Sequence, residues 1–467
     1  MIKPFLAFAV AASGVAASAQ TLRPDQSSFR ALYKELVETN TTVSAGSCTL
    51  AAERMAARLR RAGFADRDLT LFSVPEHPKD GGLVAVLAGT DPNAKAILLL
   101  AHIDVVEARR ADWTRDPFTL IEEGGYFYGR GTSDDKAQAA IWTDSLARFK
   151  AIGYRPRHTI KLALTCGEET TGVFNGAQYL AENRRALIDA GFALNEGGGG
   201  RLDANGKPVV LAMQVGEKVY QDFRLEVTNP GGHSSQPVPE NAIYRLSAAL
   251  GRVSAYRFPV QFNDTTRAYF GKLAAMPGQA DAGAITTLLG DPANAAAAAA
   301  VSRDKQNNSL LRTTCVATRV DAGHANNALP QRATAIVNCR IFPGVSAARV
   351  QAALESAIAD PAVTVVADVP PVTKDMSVAL DPKVFEPAQR LAAEMFPGVP
   401  MLPVMDTGAS DAVWTIPAGI PTYGVPGLFD DPDLGNIHGL NERIRVSALY
   451  NGRDYLYRLV KLYADAD

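Results

Sequence analysis

Five short stretches of this chain carry residues able to hold metal and move protons. They read "AHIDVV" with His102 and Asp104, "GRGTSDDK" with Asp134, "CGEET" with Glu168 and Glu169, "LNEGG" with Glu196, and "NIHGLNE" with His438. Two imidazoles and several carboxylates form a donor set suited to a pair of divalent cations. Such a pair polarises a carbonyl and lowers the pKa of water, which is the chemistry of amide hydrolysis. No single motif decides the matter. Asp134 or Asp135 alone could be a plain helix N-cap. His102 alone could be a satisfied core histidine, and Glu168–Glu169 an exposed acidic turn.

The elements expected around these residues explain their order. His102 ends the apolar run "AILLLA", and strand ends are where open α/β sheets place their ligands. Asp104 lies two residues on, so in an extended chain it points the same way and is placed to fix the tautomer of His102. The glycines of "GRG" allow a sharp turn before a helix that starts after Asp135. Glu168 and Glu169 follow the strand "TIKLALTC". Adjacent carboxylates point apart, so one can ligate a metal while the other handles a proton. His438 is remote and reaches the same crevice only if the sheet resumes late in the chain. His233, in the turn-rich "NPGGHSSQP", is a candidate donor to a developing oxyanion. Arg340 closes the run "AIVNCR". It is either a fork for a substrate carboxylate or a solvent-facing strand residue.

A chain of 467 residues exceeds one ordinary core, so two domains are expected. Apolar strands alternating with helices over residues 20–218 predict an α/β unit with a mainly parallel sheet. From Val219 the runs "VYQDFRLEVTN", "TTCVATRVDAG" and "ATAIVNCRIFPG" alternate apolar and polar residues. They predict an α+β lid over 219–343, inserted in the first unit, which resumes over 344–467. Residues 1–19 read as a signal peptide cut after Ala19, with Lys3 before an apolar run and Ala17-Ser18-Ala19 as the site. The expectation is a periplasmic or secreted protein with no membrane span after processing. A formal net charge of −2 offers no basic face for nucleic acid. Cys48, Cys166, Cys315 and Cys339 lack zinc-finger spacing. Cys315 and Cys339 lie on what look like neighbouring strands and are expected either to pair or to stay buried thiols.

Taken together, the motifs H-x-D, G-R-G-x-x-D-x-K, E-E, E-G-G, a lid G-G-H and a late histidine resemble one family over nearly all of the mature chain. It is the co-catalytic zinc metallopeptidase family of glutamate carboxypeptidase, carboxypeptidase S, aminoacylase and succinyl-diaminopimelate desuccinylase. The resemblance implies two zinc ions, with cobalt or manganese as alternatives. His102 and Glu196 would hold one, Glu169 and His438 the other, and Asp134 would be shared. It implies Glu168 as general acid/base, Asp104 as the orienting group of His102, and His233 as a stabiliser of the tetrahedral intermediate. Asn241, Arg340 and the backbone at Gly408 would hold the substrate carboxylate. The implied substrate is a small peptide with a free C-terminal carboxylate, or an N-acyl amino acid, and the implied assembly is a homodimer through the lid. "DWTRDPF", with Trp113 and Phe118, looks like the carboxypeptidase S branch. Two features depart from the pattern: Ala137 replaces the usual glycine after D-D-K, and the lid is enlarged around "GQADAGAITTLLGDPANAAAAAAVSRDKQ".

Overall fold

Leucine, isoleucine and alanine build strands that are covered on both faces. Ile97–His102 is buried at all six positions, and Ile160–Thr165 at all but Lys161, as a central parallel strand requires. The structure, a computed structural model, describes residues 22–467 apart from 171, 277, 369–375 and 377. The expected signal peptide lies outside the described residues.

The main sheet has ten strands. At its centre Ile160–Thr165, Ile97–His102, Phe192–Asn195 and Thr422–Gly424 run parallel in that spatial order. Thr422–Gly424 comes from the last tenth of the chain, so the C-terminal segment does return beside the early strands. Antiparallel pairs extend the sheet on both sides, and Met401–Asp406 and Phe429–Asp430 add to it in parallel. Helices Cys48–Arg61, Lys136–Ala151 and Val446–Ala464 contribute Met55, Trp142, Leu146 and Leu456 to one continuous apolar cluster with it. Cys48–Arg61 starts on the Ser47 cap, whose side chain accepts from the N–H of Leu50. The chain turns at Gly63 with φ of 101°, as the stop signal predicts.

The second unit is a four-stranded antiparallel sheet in the order Thr314–Ala322, Arg332–Ile341, Val219–Thr228, Val363–Ala367. Alternation is strict in Val219–Thr228 and Arg332–Ile341. Their inward side chains pack on helices Ala242–Ala255 and Ala347–Ile358. This corrects the expected boundary at 343. Helix Ala347–Ile358 and strand Val363–Ala367 belong to the inserted unit, because Val350, Leu354, Val363 and Val365 share its core and Val363–Ala367 pairs with Val219–Thr228. The enlarged lid segment forms the short helices Ala282–Gly290, Ala295–Val301 and Lys305–Leu310. Together with helix Asp264–Ala274 they enclose an apolar cluster that reaches Met405 of the main sheet. Among the described residues no helix is long and apolar enough to cross a membrane.

Cys315 and Cys339 face each other across the strand pair and are disulfide-bonded. Cys48 and Cys166, which the sequence did not pair, form a second disulfide across 118 residues. It ties the start of helix Cys48–Arg61 to the residue just before Gly167-Glu168-Glu169. Closing so long a loop is worth about 4–5 kcal/mol in the chain-entropy model. Non-reducing peptide mapping of protein produced in an oxidising compartment is expected to recover both linked pairs. Free thiols at either pair would remove that bridge from the account.

Candidate metal centre

His102 stands at the mouth of the central sheet, 1% exposed. Its Nε2 lies 3.0 Å from Asp134 Oδ1 and 3.5 Å from Glu196 Oε2. On the other side, His438 Nε2 lies 3.1 Å from Asp134 Oδ2 and 2.8 Å from Glu169 Oε2. One carboxylate thus faces both imidazoles, one oxygen to each, and a second carboxylate flanks each imidazole. Donor atoms of His102, Asp134 and Glu169 fall within 4.8 Å of one another, as do those of His102, Glu168 and Glu196. Imidazole nitrogen and carboxylate oxygen in this number fit two divalent cations.

Asp104 does more than orient a histidine. Its backbone oxygen lies 3.2 Å from His102 Nδ1. Its carboxylate accepts from the N–H of Glu168 at 3.4 Å and of Glu169 at 3.0 Å. One buried aspartate therefore fixes the ring of one candidate ligand and the backbone of the acidic pair. The Gly131–Asp134 turn has a comparable anchor that sequence reasoning missed. Glu442 accepts from Ser133 N–H at 2.8 Å and Asp134 N–H at 3.2 Å through Oε1. Through Oε2 it accepts from Gly131 N–H at 2.9 Å and Arg130 Nη1 at 2.8 Å. Asp135, the alternative cap, begins helix Lys136–Ala151 without a side-chain capping bond. Leu434, Asn436, His438 and Asn441 all take positive φ, near 60°. Such strain in non-glycine residues gathers where a site over-determines its backbone.

Negative charge dominates the cluster. Hydrogen bonds that the ring donates to Asp134 and Glu169 push the His438 imidazole up to about 10. Burial would lower His102, but Glu196, Asp104 and Asp134 outweigh it and hold the ring well above its usual value. Burial, then Glu196, pushes Glu168 up to about 10. Burial also lifts Glu196 to about 7. Burial and mutual repulsion put protons onto the glutamates, and the facing carboxylates put them onto the rings. Cations would take the place of those protons.

Three of the expected lid residues lie elsewhere. His233 is exposed on the short strand Gly232–His233, where its Nδ1 accepts from the Ser235 N–H at 3.1 Å. Asn241 caps helix Ala242–Ala255 and accepts from the Tyr244 N–H. Arg340 lies in the inserted sheet with its guanidinium 4.7 Å from the Tyr220 ring centroid. Among the described residues, no hydrogen bond or ion pair joins these three to the metal centre. Gly408 follows strand Met401–Asp406, and its N–H donates to Asp406 Oδ1 at 2.9 Å. The segment just beyond it is tied to the site's strands. Asn195 Nδ2 donates to Ser410 Oγ, and Thr165 Oγ1 to Asp411 Oδ2 at 2.8 Å.

The chain is 31% identical over 381 residues to the N-fatty-acyl-amino acid synthase/hydrolase PM20D1 of Xenopus tropicalis, covering 77% of this chain and 71% of the relative. It is 28% identical over 394 residues to a probable carboxypeptidase S-like 2 of Dictyostelium discoideum, covering 80% and 72%. Its fold matches that of an M20 family metallo-carboxypeptidase from Sulfolobus solfataricus, with a TM-score of 0.69, 18% identity, and coverage of 95% of this chain and 100% of that one. Human carnosine dipeptidase 1 matches with a TM-score of 0.64 at 16% identity, covering 94% and 96%. Residues 98–462, which span every candidate ligand, match the model of Peptidase family M20/M25/M40, and the chain is a member of that family of metallopeptidases and amidohydrolases.

Proposed function

We propose that this chain is an exported, zinc-dependent hydrolase that cleaves the amide bond of small peptides whose C-terminal carboxylate is free. The observation that carries the reading is Asp134, with one carboxylate oxygen toward each histidine. His102 and Glu196 would hold one zinc, Glu169 and His438 the other, with Asp134 shared. When bound, the pair supplies Lewis-acid polarisation of a carbonyl and a water of lowered pKa. The chain's own residues do the rest. Glu168 takes the proton of the attacking water and gives it to the leaving amine. Asp104 holds the His102 ring and the backbone of Glu168 and Glu169 in place. Asn241, Arg340 and the Gly408 backbone hold the substrate carboxylate, and His233 supports the developing oxyanion. These lid groups complete the site on closure of the inserted unit or from a second copy of the chain. Two disulfides fit an oxidising compartment, and with it export.

A second reading, hydrolysis of N-acyl amino acids, has its own support. The relatives include N-fatty-acyl-amino acid synthase/hydrolases and the aminoacylase-1A of Rattus norvegicus. Both readings place the scissile amide on the amino group of an amino acid whose carboxylate is free. A panel of dipeptides, N-acyl amino acids and their carboxamide-capped counterparts separates them. Hydrolysis is expected for the free-carboxylate members alone, lost with a chelator and restored by zinc. Equal rates on the capped series would overturn the carboxylate requirement. Inertness after zinc loading would overturn the hydrolase reading.

A further inference from the structure

We propose that the inserted unit carries a binding pocket for a compact oxyanion, a carboxylate or phosphate, built on Arg257 and Arg312. A cavity of about 150 Å³ opens between the end of helix Ala242–Ala255 and the start of strand Thr314–Ala322. Arg257, Arg312, Asn308, Thr313 and Thr314 supply its polar wall, and its lining includes no aspartate or glutamate. None of these residues belongs to the metal centre.

Arg312 is 7% exposed. Its Nη2 donates to Ser302 Oγ at 3.0 Å, while Nε is buried with no partner among the described residues. Arg130 Nε is likewise without a partner among the described residues, but the other buried arginines each face a carboxylate. Arg130 pairs with Glu442 at 2.8 Å, and Arg453 pairs with Asp144 and Asp25, each at 2.8 Å. At Arg312 the neighbouring charge is instead another guanidinium. Burial, then Arg257, lowers its hold on its proton. Arg257 is exposed at the rim, with Nη1 donating to Ser254 and Tyr256 carbonyls at 2.7 and 3.0 Å. A third cation stands behind the wall, where Lys218 Nζ donates to Thr314 Oγ1 at 3.0 Å. Burial, then Arg340 and Arg312, pushes Lys218 down to about 7.

A buried guanidinium with an unsatisfied N–H beside like charges is costly. An oxyanion in the cavity offers acceptors to the guanidinium forks, and its charge offsets the like charges that surround them. Lys218 also lies at the junction of strands Pro208–Glu217 and Val219–Thr228, which joins the main sheet to the inserted one. An anion held here sits beside the junction of the two sheets.

The test is calorimetric titration of inorganic phosphate into the zinc-loaded full chain, with ionic strength held by chloride, and a parallel titration with acetate. Saturable binding of phosphate, acetate or both is expected. It should weaken roughly tenfold or more in Arg257→Gln and in Arg312→Gln, the scale of one charge-assisted hydrogen bond. The anion that binds more tightly names the source, phosphate or carboxylate. Phosphate held by the metals would persist in both variants. Arg257 is exposed, so its variant is expected to keep the wild-type unfolding temperature without phosphate. Absence of saturable binding, unchanged isotherms in both variants, or loss in Arg312→Gln alone would overturn the two-arginine pocket.

Discussion

Changing Glu168 to Gln is expected to lower kcat by about 10²–10⁴ while leaving zinc content unchanged. That loss equals roughly 2.7–5.4 kcal/mol of barrier. The glutamine keeps the shape and can still donate and accept hydrogen bonds, but it cannot carry a proton from water to the leaving amine. The geometry makes this a sharp test, because Glu168, His102 and Glu196 place donor atoms within 4.8 Å of one another. A ligand role for Glu168 therefore competes with a proton-carrying role. Glu169 is the better ligand of the two, since its carboxylate already meets His438 at 2.8 Å. Burial and Glu196 push Glu168 up to about 10. Two cations nearby would pull it back toward neutrality, the range in which a carboxyl can both accept and release a proton. Metal analysis and steady-state kinetics on the same preparation decide the matter. Full activity would refute the proton role, and loss of zinc would make Glu168 a ligand.

The candidate ligands were legible in the sequence because each sits at a signal that survives without a fold. His102 and the Glu168–Glu169 pair end apolar strands, and Asp134 lies in a glycine turn before a helix. The strand Thr422–Gly424, parallel to Phe192–Asn195, then accounts for the return of His438. What the sequence hid was long-range or shared. Glu442 lies four residues beyond His438 in a motif that was read, yet nothing in its spacing tells that it folds under a turn 308 residues away. Cys48 and Cys166 belong to two helix-and-strand runs whose patterns are unremarkable apart. The boundary at 343 failed for a related reason. A helix followed by a short strand looks the same in a lid as in an α/β unit, and only the pairing of Val363–Ala367 with Val219–Thr228 assigns it. His233 and Arg340 were candidates from residue type and setting, and Asn241 only from the resemblance; the local bonds of the three are those of a turn, a strand and a helix cap.

The anchoring of that hidden turn supports a second prediction of large size. Changing Glu442 to Gln is expected to weaken zinc binding by about 10–100-fold, the scale for a group that orients ligands. Glu442 holds the backbone N–H groups of Ser133 and Asp134 with one oxygen, and the Gly131 N–H and the Arg130 guanidinium with the other. A carboxylate can accept all four donors, whereas an amide nitrogen would direct its own N–H at one pair. The turn must then shift, and with it the carboxylate shared between the two histidines. Arg130 loses a buried partner as well, which costs about 3–5 kcal/mol of stability when a charge is left unpaired. These two effects separate experimentally. Instability alone would lower the unfolding temperature and leave the zinc affinity of the folded fraction unchanged. A positioning role predicts weaker zinc affinity by competition with a chelator, with kcat largely restored at saturating zinc. The shorter Glu442→Asp should sit between the two, since it keeps the charge but must reach further to four donors. Wild-type zinc affinity in Glu442→Gln would show that Asp134 holds its place without this anchor.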